Sequence, residues 1–148
     1  FSAVPEGKLI IVGQGPLRES LVSLTKELGL VDRVIFAGVY PTIAPLLTAA
    51  DVFVLASRHE GWPLVLVEAM RSNLTIVTTD FEAAKEVFTH EKDALIVPRE
   101  NSDVLADAMN RVRVEAGLRE NLQSNSSTLR AQFTSDAHAR AILAYINQ

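Results

Sequence analysis

Five short apolar or β-branched runs punctuate this chain: Lys8 to Val12, Val34 to Ala37, Val52 to Ala56, Thr75 to Thr78 and Leu95 to Val97. Longer amphipathic stretches separate them. Antiparallel neighbours can be joined by tight turns, whereas parallel strands need crossovers, usually helices, so the alternation predicts an α/β domain. The runs carry few polar residues, as strands covered on both faces must, which predicts a doubly wound parallel sheet.

Turn chemistry marks the helices. Pro16 suits a first helical turn, Gly29 a C-terminal cap, and Ser102-Asp103 a helix start. Leu17, Leu21, Leu24 and Leu28 recur at three- and four-residue spacing, an apolar stripe expected to lie against the sheet. From about Arg111 a helical tail is expected, with a polar patch from Asn121 to Thr128 before a last helical segment at Ala141 to Ile146. With no repeat or low-complexity linker, residues 1–148 read as a single domain.

Composition removes several function classes. A net charge of −4 and the lack of a Lys/Arg run disfavour nucleic acid as a partner. Without cysteine there is no disulfide framework and no thiol nucleophile, which fits the cytoplasm. The apolar runs fall far short of the roughly 18 residues that a membrane span requires. His59, His90 and His138 are scattered and no Asp-x-Asp pair occurs, so no metal site and no cofactor are expected. The sequons at Asn73 and Asn125 matter only in a secreted protein. The chain opens at Phe1 without an initiator methionine and reads as part of something longer.

In an open parallel sheet, ligands bind beyond the carboxyl ends of the strands, where helix N-termini aim unsatisfied N–H groups. Four loops therefore matter: Gly13 to Pro16, Gly38 to Tyr40, Ser57 to Pro63 and Asp80 to Ala84. The first has Arg18 where a dinucleotide fingerprint needs its third glycine, so Gly13 and Gly15 read as a tight turn or a phosphate cradle.

The third loop joins an apolar strand to the helix Leu64 to Met70. Pro63 fits the first helical position, leaving the N–H groups of Leu64 and Val65 for an anion, and Gly61 lets backbone approach a ligand. Glu60 precedes the helix and Glu68 lies within it among apolar neighbours. A carboxylate there must be exposed, paired, or reserved for hydroxyl donors such as those of a sugar or ribose. On spacing alone, Glu60 can equally be a helix-end dipole partner and Glu68 a solvated helix position.

The string from Ser57 to Met70 resembles the Glu-x7-Glu signature of the large retaining glycosyltransferase family with the GT-B fold. In register with it stand Ile11 to Pro16, Val34 to Gly38, Ala50 to Val54 and Ala94 to Pro98. The resemblance covers about residues 7 to 110 and implies a Rossmann-like donor-binding domain whose ligand is a nucleotide-diphosphate sugar. It also implies a separate N-terminal acceptor-binding domain, a glycan or lipid-linked acceptor, and peripheral membrane association through that other domain.

Carried over by position, Glu60 holds the donor sugar's hydroxyls and is the catalytic candidate, while Glu68 binds the ribose. Gly61, Trp62, Pro63, Leu64 and Val65 cradle sugar and diphosphate, with Ser57 and Arg58 leading into them. Gly38, Val39 and Tyr40 border the base, and Gly13 and Gly15 line the cleft near the diphosphate.

The chain departs from the family pattern at several positions. Asn73 and Thr75 stand where a Gly-then-Pro segment is usual, and Glu82-Ala83 replaces a Gly-Gly pair before Glu86. The family's Gly-Arg strand and following lysine, whose cations grip the diphosphate, do not precede Lys8, which leaves Arg58 as the nearest substitute. That strand would lie centrally, between Lys8–Val12 and Val52–Ala56. The expectation is dependence on upstream sequence or a rearranged sheet in which those two strands pair directly. The alternatives are a non-catalytic nucleotide- or partner-binding module of the same fold and, further off, a sugar-nucleotide epimerase.

Overall fold

The computed structural model describes residues 1–61, 63–130 and 133; Trp62, His138 and the expected helical segment Ala141 to Ile146 lie outside them. The strands are β1 (Leu9–Val12), β2 (Val34–Gly38), β3 (Val52–Leu55), β4 (Thr75–Thr79) and β5 (Leu95–Val97). They match the five apolar runs to within a residue at each end. The helices are α1 (Arg18–Glu27), α2 (Ala44–Thr48), α3 (Leu64–Arg71), α4 (Glu82–Val87), α5 (Ser102–Val114) and α6 (Ala116–Arg130). The short α2 and α4 lack the length for a clear periodic signal. All pairings are parallel, in two sheets ordered β1-β2 and β3-β4-β5 rather than in one. The chain divides correspondingly into two compact units, Phe1–Ile43 and a second beginning at Ala44.

In the second unit β4 is buried along its whole length, because it has a strand on each side and helices packed against it. Val77, Leu95 and Val97 meet Ala108 and Val112 of α5 and Leu122 of α6, with Val52, Val54, Leu105 and Leu118 packed around them. The polar stretch from Asn121 to Thr128 lies inside α6 rather than before a further helix. Leu118, Leu122 and Ser126 recur every four residues and give it one inward stripe, which overrides the weak helix propensity of its Asn and Ser residues. α5 is capped by the Asn101 side chain, which accepts from the Val104 N–H at 3.1 Å, one residue ahead of the expected start.

The departure at Asn73 has a local explanation. Its N–H donates to the Met70 carbonyl at 3.0 Å and that of Leu74 to the Ala69 carbonyl at 3.1 Å, closing α3 in a Schellman motif. The motif needs a left-handed residue, and Asn73 adopts φ 58°. Asparagine tolerates that region better than most residues, so it stands in for glycine.

The first unit is built differently. β1 and β2 bury side chains only in alternation, and α1 has no buried residue. The stripe expected to be covered is exposed: Leu17 by 66%, Leu21 by 39%, Leu24 by 46% and Leu28 by 48%. Two strands about 5 Å apart offer too narrow a face to cover an amphipathic helix. The unit's ties are polar as well as apolar. Arg33 donates to the carbonyls of Val4 at 2.7 Å and Gly7 at 3.1 Å, and its guanidinium lies over the Phe1 ring.

Candidate functional site

The residues expected at the site fall into two groups, one on each unit. In the first unit the Gly13 N–H donates to the Gly38 carbonyl at 2.7 Å, joining the carboxyl ends of β1 and β2. Both glycines have positive φ, 115° and 71°, which an L side chain rarely adopts. Gly15 lines an open depression of about 600 Å³ with Gln14, Pro16, Arg18 and Glu19. Val39 and Tyr40 follow β2 with exposed side chains.

In the second unit, Ser57, Arg58, Glu60 and Gly61 lie in the loop after β3, and Pro63, Leu64, Val65 and Glu68 carry the chain into α3. Pro63 is the N-cap of α3 rather than its first helical residue, and no side chain among the described residues caps that end. The Leu66 N–H returns to the Pro63 carbonyl at 2.9 Å, so the N–H groups of Leu64 and Val65 precede the first bonded turn. Leu64, Glu68 and Arg71 form the exposed stripe of α3, while Leu66, Ala69 and Met70 are buried. Glu68 therefore belongs to the exposed one of the three options open to it. It lies about 6 Å along the axis from the helix start.

Glu60 is oriented from within its own loop. The Ser57 hydroxyl donates to Glu60 Oε1 at 2.6 Å, which leaves the second carboxylate oxygen to accept from a ligand. The Ser57 carbonyl in turn accepts from the Thr79 hydroxyl at 2.5 Å, and the Leu55 carbonyl from the Thr78 hydroxyl at 3.1 Å. Arg58 pairs with Glu100 at 2.8 Å, two exposed side chains.

Two residues outside the expected set join this loop. Arg99 donates to Asp80 Oδ1 from both its backbone N–H and its Nε, each at 3.0 Å, and its Nη1 donates to the Arg58 carbonyl at 3.1 Å. The Arg99 backbone N–H, with the guanidinium beside it, holds the Asp80 carboxyl below its ordinary value. Both residues follow directly on β4 and β5, where ligand-side loops begin, and that position was the signal available in the sequence. Elsewhere, the expected loop residue Glu82 pairs with Lys85 at 2.8 Å.

Residues 2–128 match the family model described as Glycosyl transferases group 1. The chain belongs to this family. Among curated relatives it is 40% identical over 136 residues to the lipopolysaccharide core biosynthesis glycosyltransferase LpsD of Rhizobium meliloti, covering 91% of this chain and 40% of that protein. The chain thus spans about two fifths of that relative's length. Among solved structures it resembles HepE of Anabaena in complex with UDP and glucose, with a TM-score of 0.90 and 23% identity over 99% of this chain and 42% of that one. It also resembles the C-terminal domain of the group 1 family protein LpcC of Francisella tularensis, with a TM-score of 0.79 and 25% identity over 87% of this chain and 70% of that one. The parallel sheets and their helices form the Rossmann-like α/β fold of GT-B C-terminal domains. Among the described residues no helix is long and apolar enough to cross a membrane.

Proposed function

We propose that this glycosyltransferase chain binds the donor for a retaining enzyme of the Glu-x7-Glu type, which transfers a hexose from a nucleotide-diphosphate sugar to a glycan or lipid-linked acceptor. The observation that carries the reading is the Ser57–Glu60 hydrogen bond at 2.6 Å, on a loop that runs into the α3 end without a side-chain cap. Glu60 offers its second oxygen to sugar hydroxyls, and Glu68, exposed on α3, accepts from the ribose. The N–H groups of Leu64 and Val65 face the diphosphate as its charge grows on bond cleavage. Gly13, Gly15 and Gly38 to Tyr40 provide the diphosphate and base contacts. In this reading Glu60 is no covalent nucleophile, since retention proceeds by attack from the leaving-group face, and neither a metal nor a cofactor takes part. The acceptor side comes from another domain, so the chain alone binds donor without transferring it, and the enzyme works in the cytoplasm at the membrane face.

The alternative is a nucleotide- or partner-binding module without transfer. It is favoured by the Arg58–Glu100 pair, which engages the cation nearest the loop. Calorimetry with a panel of nucleotide sugars, starting from UDP-glucose, tests the site. Glu60→Ala and Glu68→Ala should each weaken donor binding about tenfold or more, the loss of a hydrogen bond to a charged group. Unchanged binding in both variants would sink the assignment.

A further inference from the structure

A second layer of contacts lies beneath the Glu60 loop. We propose that Arg99 is a positioning residue that fixes this loop for the sugar of the donor, an inference that rests on the donor-site reading above.

One guanidinium joins three segments. Nε takes Asp80 at the end of β4, Nη1 takes the Arg58 carbonyl in the loop after β3, and Arg99 itself follows β5. The base of this bracket is fixed by backbone, since the Asp80 N–H donates to the Val97 carbonyl at 2.9 Å and the Arg99 N–H returns to Asp80 Oδ1. An exposed ion pair alone contributes little. The distinguishing feature here is that the same side chain holds a carboxylate and a main-chain carbonyl of two different loops, which a planar fork can do and an ammonium cannot reproduce.

The effect on the loop follows from peptide planarity. In a trans peptide the N–H points opposite to the C=O. With the Ser57 carbonyl held by Thr79 and the Arg58 carbonyl held by Arg99, the N–H groups of Arg58 and His59 are turned away from those two anchors. Two successive peptide planes are thereby set between Ser57 and Glu60, whose side chains are bonded to each other. Arg99 thus controls the direction in which Glu60 offers its remaining lone pairs without itself touching the sugar. Glu68 stands on α3, outside this bracket, so the ribose contact does not depend on it.

The test compares wild type, Arg99→Ala and Arg99→Lys in the full chain. It measures the binding of the panel's tightest nucleotide sugar and of its nucleoside diphosphate, UDP-glucose and UDP in the first instance, together with amide exchange at residues 58–60 without ligand. Both variants should melt close to wild type, exchange faster at those amides, and bind the nucleotide sugar about tenfold more weakly with nearly unchanged nucleoside diphosphate affinity, the signature of a misplaced contact group. Lysine should not rescue. Unaltered exchange would overturn the bracket, and a parallel loss of both ligands would overturn its selectivity for the sugar side. A wild-type chain that binds no member of the panel would instead remove the donor reading, and the positioning role with it.

Discussion

The two units of the chain use the same sequence pattern and reach different degrees of burial. In the second, β4 lies between two strands and Ile76 and Val77 have no exposed surface. In the first, β1 and β2 have only each other among the described residues, and Ile10, Val12 and Ile35 remain 40–45% exposed. An apolar run thus specifies a strand, whereas full burial also needs neighbours on both edges and cover on both faces. The functional loops differ accordingly. Those of the first unit rest on glycine conformations, and the loop of the second rests on a bracket of side chains.

The largest expected effect tests the core of this comparison. Leu122→Ala should destabilise the chain by about 2–5 kcal/mol, the usual range for emptying a packed leucine site. Leu24→Ala, on the exposed stripe of α1, should change stability by less than about 0.5 kcal/mol, the range for surface positions. Urea unfolding of the two variants measures both, and equal losses would mean that the units are not differently packed. Next comes the glycine dependence of the first unit. Gly38→Ala meets open space, yet its φ of 71° should still make it cost about 1–2 kcal/mol. Asn73→Gly, at a left-handed position in the second unit, should instead be neutral or slightly stabilising, by a few tenths of a kcal/mol.

The smallest effect concerns Asp93, which is buried beside the turn before β5 and accepts from the Thr89 N–H at 2.7 Å. Burial raises its carboxyl above the ordinary 3.8, only partly offset by that N–H. The native state therefore holds the proton more tightly than the unfolded chain. The stabilisation it brings is complete below the ordinary value and is lost as pH rises through the raised folded value. Asp93→Asn keeps an acceptor without the charge, so it should flatten this part of the pH profile and raise Tm at neutral pH by about 2 °C, as followed by thermal melts across pH.

Much of the fold was legible because it depends on local pattern. The strands follow from β-branched runs, and the end of α1 from Gly29, whose N–H bonds the Lys26 carbonyl at 3.0 Å in a Schellman turn. The order of landmarks around Glu60 and Glu68 carried the family. Less legible was anything that depends on distant partners. Nothing in the leucine spacing of α1 says how wide the sheet beneath it is. The hydroxyls of Thr78 and Thr79 look like ordinary strand residues until their acceptors on another segment are known. Arg99 and Asp80 are 19 positions apart, and only the parallel pairing of β4 with β5 brings them within reach.

The threonines at the end of β4 also bear on how this loop can vary. Backbone pairing with β3 ends at Leu55 opposite Thr78, but the hydroxyls of Thr78 and Thr79 continue to grip the carbonyls of Leu55 and Ser57 as the chain turns away. They splice the root of the loop to a strand that its backbone has already left. Length and composition can therefore drift between Glu60 and Pro63 while the starting point stays in place. A change at Thr79, remote in sequence and invisible from the ligand side, would shift every residue that follows Ser57.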